Sequence, residues 1–405
     1  MKLSNKLLEM NAKTPVTCLV VITNFLISCS GQTTPNTLHQ PENKGVVGGP
    51  FENGDFMYIG MPKNIKAVDT SAGWLQKGQK LLVTGTIYKL DGKTPASNVI
   101  LYYYHTDING VYADKRGLDR RVVKHGYIRG WVKSDANGKY AIYTVRPAPY
   151  PNTDFEAHIH PTIKEPEIDK EYYIDEFVFD DDTLLTGAKR KRLENRGGSG
   201  VLRLFAKDSI QVAEHNIILG LNIPNYPRTF TPEPRSGLHI GEDQPSFSPY
   251  HAFGPDKGAK TCPVCKYGRY HGILFFVGNK PNWGETKKWL TFLEQQSVER
   301  GRYLKAYFVY GNNIDYNNEK RQNQLEKIGN ELKLKNIALT FVPSFSDIET
   351  DIHLSKINPD VENTFIIYKN RTIIDKHINL KPTEENFELL AKELDTNRGD
   401  YFELD

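Results

Sequence analysis

The sequence predicts a mainly β amino-terminal half followed by an α/β carboxy-terminal half. Three observations carry this expectation. Short apolar runs separated by Asp-Gly and Asn-Gly turns fill the first half, a punctuation suited to paired strands in a sandwich. From about residue 270, strand-length apolar runs alternate with helix-length amphipathic stretches. The chain has 405 residues, more than one ordinary hydrophobic core serves, so two domains are expected.

In the first half, residues 80–89 read as a strand closed by the turn Asp91-Gly92-Lys93, and residues 98–105 as the next. The turn Asp107-Ile108-Asn109-Gly110 delivers Val111 and Tyr112, and Asp135-Ala136-Asn137-Gly138 leads into a strand over 139–145. Antiparallel pairing is expected from such turns, and no stretch before about Arg190 has a helical period. In the second half, strands are expected at 272–277, 304–310 and 337–342. Helices are expected at 285–298, with Trp289, Phe292, Leu293 and Val298 on its apolar face, and at 317–334. Residues 364–368 and 371–378 form a hairpin across Lys369-Asn370, and a helix over 384–394 follows Pro382 with Thr383 as its N-cap.

Hydrophobic residues make up 39% and charged residues 25% of the chain, as in soluble globular proteins. A formal net charge of only +3 gives no support for a nucleic-acid partner. The basic cluster Lys189, Arg190, Lys191 and Arg192 is short and followed by Glu194, and reads as a solvated loop or helix end. The acidic run Asp180-Asp181-Asp182 reads as a solvated turn, because no calcium-loop spacing follows it.

The amino terminus has the features of an export signal. Lys2, Lys6 and Lys13 precede a mostly apolar run over 16–27 that is short for a bilayer span. The run ends in Leu26-Ile27-Ser28-Cys29, which resembles a bacterial lipobox. That resemblance implies a signal peptide over 1–28, lipid on Cys29, and an exported protein anchored to a membrane, periplasmic or at the cell surface. Residues 29–48 read as a flexible tether. Of the 4 Cys, Cys18 leaves with the signal and Cys29 takes lipid, so Cys262 and Cys265 remain, as Cys-Pro-Val-Cys. In an oxidising compartment this pair can close as a disulfide. A redox role, or a metal site shared with His271 and His251, stays open beside that reading.

The stretch that organises the first half is residues 146–160. His158 and His160 are two apart, so on a strand both imidazoles leave one face while Ile159 points the other way. Two ligand directions are then set before a metal arrives. Tyr150 lies upstream, stiffened between Pro149 and Pro151.

The order of five elements resembles the intradiol ring-cleavage dioxygenases of the catechol and protocatechuate type, over roughly residues 49–245. These are Thr106-Asp107-Ile108-Asn109-Gly110-Val111-Tyr112, Arg129-Gly130, Ser134 to Tyr140, Pro147-Ala148-Pro149-Tyr150-Pro151, and Ala157-His158-Ile159-His160. The resemblance implies a β-sandwich around a mononuclear non-haem Fe(III) held by Tyr112, Tyr150, His158 and His160. It implies that Tyr150 is displaced by the substrate and takes a catechol proton, and that the substrates are an aromatic diol and O2. Phenolate oxygen suits the hard ferric ion, and ligation deprotonates a phenol whose ordinary pKa is about 10. Two features depart from the family. The loop from Tyr150 to His158 is short, and Phe155 stands where the family commonly has Arg; Arg146 and Arg129 are the candidates to replace that charge.

The second half, over 258–405, resembles a thioredoxin fold through its β-α-β-α-β-β-α order. Cys262-x-x-Cys265 precedes the first strand instead of following it, and Glu362-Asn363-Thr364 stands where that fold has a Pro. The expected domains are thus 49–250 and 251–405. Three functions compete: an iron-dependent dioxygenase, a noncatalytic surface module with a vestigial iron site, and a thiol-redox protein using Cys262 and Cys265.

Overall fold

The computed structural model describes residues 45–227, 236–314, 316–399 and 401. The expected signal peptide, Cys29 and most of the tether lie outside the described residues. No helix among the described residues is long and apolar enough to cross a membrane.

Two sheets face each other in the first half. One runs in the order Val68–Thr70, Lys139–Val145, Lys80–Tyr88, Ile210–Glu214, Phe205–Lys207, with Ile217–Ile218 also on Lys80–Tyr88. The other runs Arg129–Lys133, Ile100–His105, His158–Lys164, Phe177–Phe179, Val201–Leu202, with Tyr172–Tyr173 also on His158–Lys164. Leu81, Val83 and Ile142 from the first sheet meet Leu101, Tyr103, Ile159, Ile163 and Phe177 from the second in one buried core. Period-two alternation decides which side chains enter it.

The pairing is mixed, which corrects the expectation of an antiparallel sandwich. Lys80–Tyr88 pairs antiparallel with Lys139–Val145 but parallel with Ile210–Glu214, and Phe177–Phe179 pairs parallel with Val201–Leu202. The long connection over 180–200 returns the chain to the same end of its sheet between Phe177–Phe179 and Val201–Leu202, which a hairpin turn cannot do. The short turns behave as expected. Asp135 Oδ1 accepts the Asn137 and Lys139 amides at 2.8 Å each. Gly138 takes φ +72°, where a Cβ would come within 2.5 Å of the Ile87 carbonyl oxygen.

The second half is a six-stranded sheet in the order Tyr250–Phe253, Ala338–Val342, Leu304–Gly311, His271–Val277, Thr364–Lys369, Thr372–Ile378. Helices Trp283–Arg300, Asn318–Glu331 and Glu384–Thr396 complete the expected element order. Each starts on a side-chain cap: Asn282, Asn317 and Thr383 accept the amides of Glu285, Lys320 and Asn386. His271–Val277 is buried along its whole length, and its two faces contribute Phe275 to one core and Phe276 to another. Burial on both faces is why its apolar run is continuous instead of alternating. Val298 is exposed, because Gln296 and Ser297 take the buried positions at that turn of the helix. The hairpin turns at Asn370 and Arg371, with φ 48° and 68°, one residue later than expected. The expected domain cut between 250 and 251 falls inside the Tyr250–Phe253 strand, and Phe247 already packs in the second half's core.

Candidate metal centre

Two loops bring the two tyrosines together. Asp107 Oδ1 accepts the Asn109 amide at 2.8 Å and the Val111 amide at 3.1 Å, which folds the turn before Tyr112. Gly110, at φ +76°, lies so close to the second loop that a Cβ would meet the Pro149 carbonyl oxygen at 2.0 Å. The Ala148 amide donates to the Asp107 carbonyl at 3.1 Å, and Thr106 Oγ1 donates to the Ala148 carbonyl at 2.7 Å. Held back to back in this way, the loops place Tyr112 Oη 2.5 Å from Tyr150 Oη.

The imidazoles come from the His158–Lys164 strand, as its spacing requires. Ile159 is buried in the sandwich core, and His158 and His160 leave the opposite face, where the loops cover them to 7% and 9% exposure. Tyr112 Oη is 2.7 Å from His160 Nε2, Tyr150 Oη is 3.1 Å from His158 Nε2, and the two Nε2 atoms are 3.1 Å apart. The four expected ligand atoms therefore form a closed ring of neighbours.

The proton arrangement decides what this ring can hold. His158 Nδ1 is 2.7 Å from the Glu156 carbonyl oxygen, which can only accept, so this nitrogen carries the hydrogen. His160 Nδ1 is 2.9 Å from Glu176 Oε1 and donates to that carboxylate. Both Nε2 lone pairs then point at each other with no hydrogen of their own between them. Burial, with His160 adding to it, holds His158 below the ordinary imidazole range and keeps it neutral. Burial, then the neighbouring Tyr150, raises the Tyr112 phenol well above its ordinary range. Two imidazole nitrogens and two phenol oxygens facing inward fit a hard cation, because it satisfies all four donor atoms and replaces the phenol protons.

Glu176 was not singled out from sequence. Phe177 pairs with Ile159 across the sheet, so Glu176 lies across from His160, and such a register is not written in either segment alone. Burial by itself raises the Glu176 carboxyl, but His160 and His158 outweigh it and hold the group low. Behind His160 stands a column of rings. Tyr104 stacks on His160 at 4.5 Å between centroids, His125 stacks on Tyr104 at 3.7 Å, and Tyr102 Oη is 2.8 Å from His125 Nδ1.

Neither candidate arginine replaces the cation missing at Phe155. Arg129 donates to the Phe56 and Ile59 carbonyls and lies over the Tyr102 and Trp131 rings. Arg146 pairs with Asp181 at 2.6 Å and lies over Phe179. Both are committed to holding other parts of the sandwich. Instead the Tyr150–His158 loop is braced by the charged runs that read as solvent-facing. Asp182 Oδ2 accepts the Ala157 amide at 2.8 Å, and Lys189 Nζ bonds Glu156 Oε2 at 2.7 Å and the Asp154 carbonyl.

The cysteines take no part in this centre. Cys262 and Cys265 are joined as a disulfide, with Cα atoms 5.3 Å apart. His251 is used by the Pro255 and Thr261 carbonyls at 3.0 Å each, while His271 is buried with Nε2 unbonded. The clusters of metal-binding type among the described residues are His158–His160–Glu176 and Asp375–His377–Glu393, so a site built from Cys262, Cys265, His251 and His271 is not formed.

Residues 56–190 match the family model described as Dioxygenase. No curated protein matches the chain. Three similar solved structures share low identity and a TM-score of 0.30 or below. The dioxygenase domain of a dioxygenase and carbohydrate-binding protein fusion from Streptomyces sp. SirexAA-E is 17% identical, covering 39% of this chain and 91% of its own, at TM-score 0.30. Hydroxyquinol 1,2-dioxygenase from Pseudomonas putida DLL-E4 is 18% identical, covering 45% and 68%, at 0.29. 3-Chlorocatechol 1,2-dioxygenase from Rhodococcus opacus 1CP is 16% identical, covering 44% and 72%, at 0.30. The dioxygenase family match spans Tyr112, Tyr150, His158 and His160 together.

Proposed function

We propose that this protein is an Fe(III)-dependent intradiol dioxygenase that opens the ring of a catechol-type diol with O2. The observation that carries the reading is the ring of four inward-facing donor atoms, each 2.5–3.1 Å from its neighbours, with both Nδ1 positions already used elsewhere. Tyr112, Tyr150, His158 and His160 hold the iron. A ferric ion held there would supply Lewis acidity that activates the diol toward O2. Tyr150 is half-buried, and its Oη is the base that would take a proton from an incoming diol. His158 and His160 are held oriented, the first by the Glu156 carbonyl and the second by Glu176.

The rest of the chain fits an exported role. Residues 1–28 are a signal peptide, Cys29 carries lipid, residues 29–48 tether the protein to a bacterial membrane, and the dioxygenase domain starts near residue 49 and ends before Phe247. Residues 251–405 are a thioredoxin-like domain, supported by the parallel pairing of His271–Val277 with Leu304–Gly311 and its antiparallel pairing with Thr364–Lys369. Its Cys262–Cys265 disulfide is structural. Labelling with a fatty acid marks the wild type and not Cys29→Ser; equal labelling removes the anchor. The purified protein carries one ferric ion, shows a tyrosinate-to-iron visible band, and consumes oxygen with a catechol. Protein that takes up no iron defeats the dioxygenase reading, and iron without oxygen uptake from any catechol leaves a binding module.

A further inference from the structure

We propose that His125 is a positioning residue of the metal centre: stacked on Tyr104, which is stacked on His160, it fixes the plane of that imidazole and ties it to the loop that carries Tyr112. The inference rests on the dioxygenase reading above and deepens it. Glu176 holds His160 at Nδ1, at 2.9 Å. One hydrogen bond at the ring edge sets a distance but leaves the ring able to tilt about that contact, so the direction of Nε2 needs a second constraint. Tyr104 supplies it. Tyr104 lies directly across from His160 in the antiparallel pair of Ile100–His105 with His158–Lys164, and the two rings stack at 4.5 Å and 16°.

His125 backs Tyr104 in turn. Their rings are parallel to within 2° at 3.7 Å between centroids. Two rings stacked this closely on a third cannot share one face of it, so Tyr104 is clamped between His160 and His125. His125 is 6% exposed, its Nδ1 is 2.8 Å from Tyr102 Oη, and the Phe56 ring lies 5.2 Å away. Tyr102 is two residues from Tyr104 and shares its side of the strand.

The backbone seats His125 on the Tyr112 loop. His125 ends the short 3-10 turn Arg120–His125. Gly126, at φ +64°, lies against Tyr112, where a Cβ would come 3.1 Å from the Tyr112 Cα. The Tyr127 amide then donates to the Ala113 carbonyl at 3.1 Å. Segment 113–127 thus leaves Tyr112, closes back on it, and inserts His125 behind the ring that faces His160. Loss of the His125 ring loosens Tyr104 on one face, and His160 beyond it, without removing any of the four donors.

The test loads full-length wild type, His125→Leu and His125→Phe with iron. It measures iron affinity against a competing chelator and the width of the ferric electron paramagnetic resonance signal. His125→Leu weakens iron about 3- to 10-fold, the range of one aromatic contact, and broadens the signal as His160 samples more than one tilt. His125→Phe keeps a flat ring on Tyr104 and returns both readouts to near the wild type. If His125→Leu does not fold, His125→Gln makes the same ringless comparison. Urea unfolding of the iron-free variants separates packing from positioning. A lowered urea midpoint with unchanged signal width overturns the inference. Wild-type affinity and width in the ringless variant overturn it as well, as does a loss that His125→Phe fails to restore. Wild type that holds no iron defeats the dioxygenase reading, and this inference falls with it.

Discussion

Two His-carboxylate clusters in this protein differ chiefly in where a counter-charge stands. At the domain junction, Glu393 Oε2 is 2.6 Å from His377 Nε2, and the Lys93 ammonium lies 2.6 Å from Asp375 Oδ1 and 3.5 Å from Glu393 Oε1. That cluster brings its own cation from the facing sandwich and works as a clasp between the two halves. On the outer, loop-covered face of the second sheet, His158, His160, Tyr112 and Tyr150 turn lone pairs toward one another, and the neighbouring Glu176 is used by His160. Convergence of donor groups is common to both. A metal centre needs donors that converge without a resident cation, and only the second arrangement has that form.

Removing a donor is the strongest way to break this contrast. His160→Ala replaces an imidazole by water in a four-donor set and should lose most of the iron, read as iron content after dialysis. Retained iron would mean that the ring of donors is not the ligand set. Glu176→Gln keeps the shape but weakens the acceptor at His160 Nδ1. Iron affinity should fall about 10- to 100-fold, with the tyrosinate band preserved in the loaded protein.

At the clasp, Lys93→Met should leave Asp375 buried beside Glu393 without its partner. A loss of about 1–3 kcal/mol in urea unfolding is expected, with iron content untouched, because Asp375 is 5% exposed although Lys93 is 47% exposed. Unchanged stability would make the clasp an incidental surface contact. The most gradual effect is that of pH. Burial holds His105 and His215 at about 4 in the sandwich and His271 at about 3 in the second half. In the unfolded chain they titrate near 6.5, so between about 6.5 and 4 the unfolded state binds more protons. Stability should therefore fall as pH drops through that window, by up to about 1.4 kcal/mol per unit for each imidazole, and level off below the folded values. His271→Gln should flatten part of that slope; an unaltered slope would assign the loss to other groups.

Reading the halves separately shows what kind of information each segment carried. In the second half the expected strands and helices all formed, several within two residues of their expected ends, because each was announced by its own period, and the last helix also by its cap Thr383. Asn282, Asn317 and Thr383 stop the chain from starting a helix earlier, and they do so within four residues of sequence. The convergence of the four candidate donors has the same local origin. His158 and His160 share a face by strand geometry alone, and the turns before Tyr112 and around Tyr150 are local.

Tertiary structure decided everything that depends on which distant segments meet. The pairing of Lys80–Tyr88 with Ile210–Glu214 is parallel because of how a long connection returns, and no turn residue reports that. Glu176 reaches His160 only through the register of two strands, and a slip of one residue would turn it away. Arg129 and Arg146 had the right charge for the place opposite Phe155 and were drawn instead to Phe56 and Ile59 and to Asp181. Lys189 and Asp182, read as solvated charge, became the braces of the Tyr150–His158 loop. The sequence by itself determined which donors this chain has and on which local face each stands. Only the packing of the two sheets determined which charges surround them, because a long flexible side chain commits to a partner only after the backbone has brought that partner within reach.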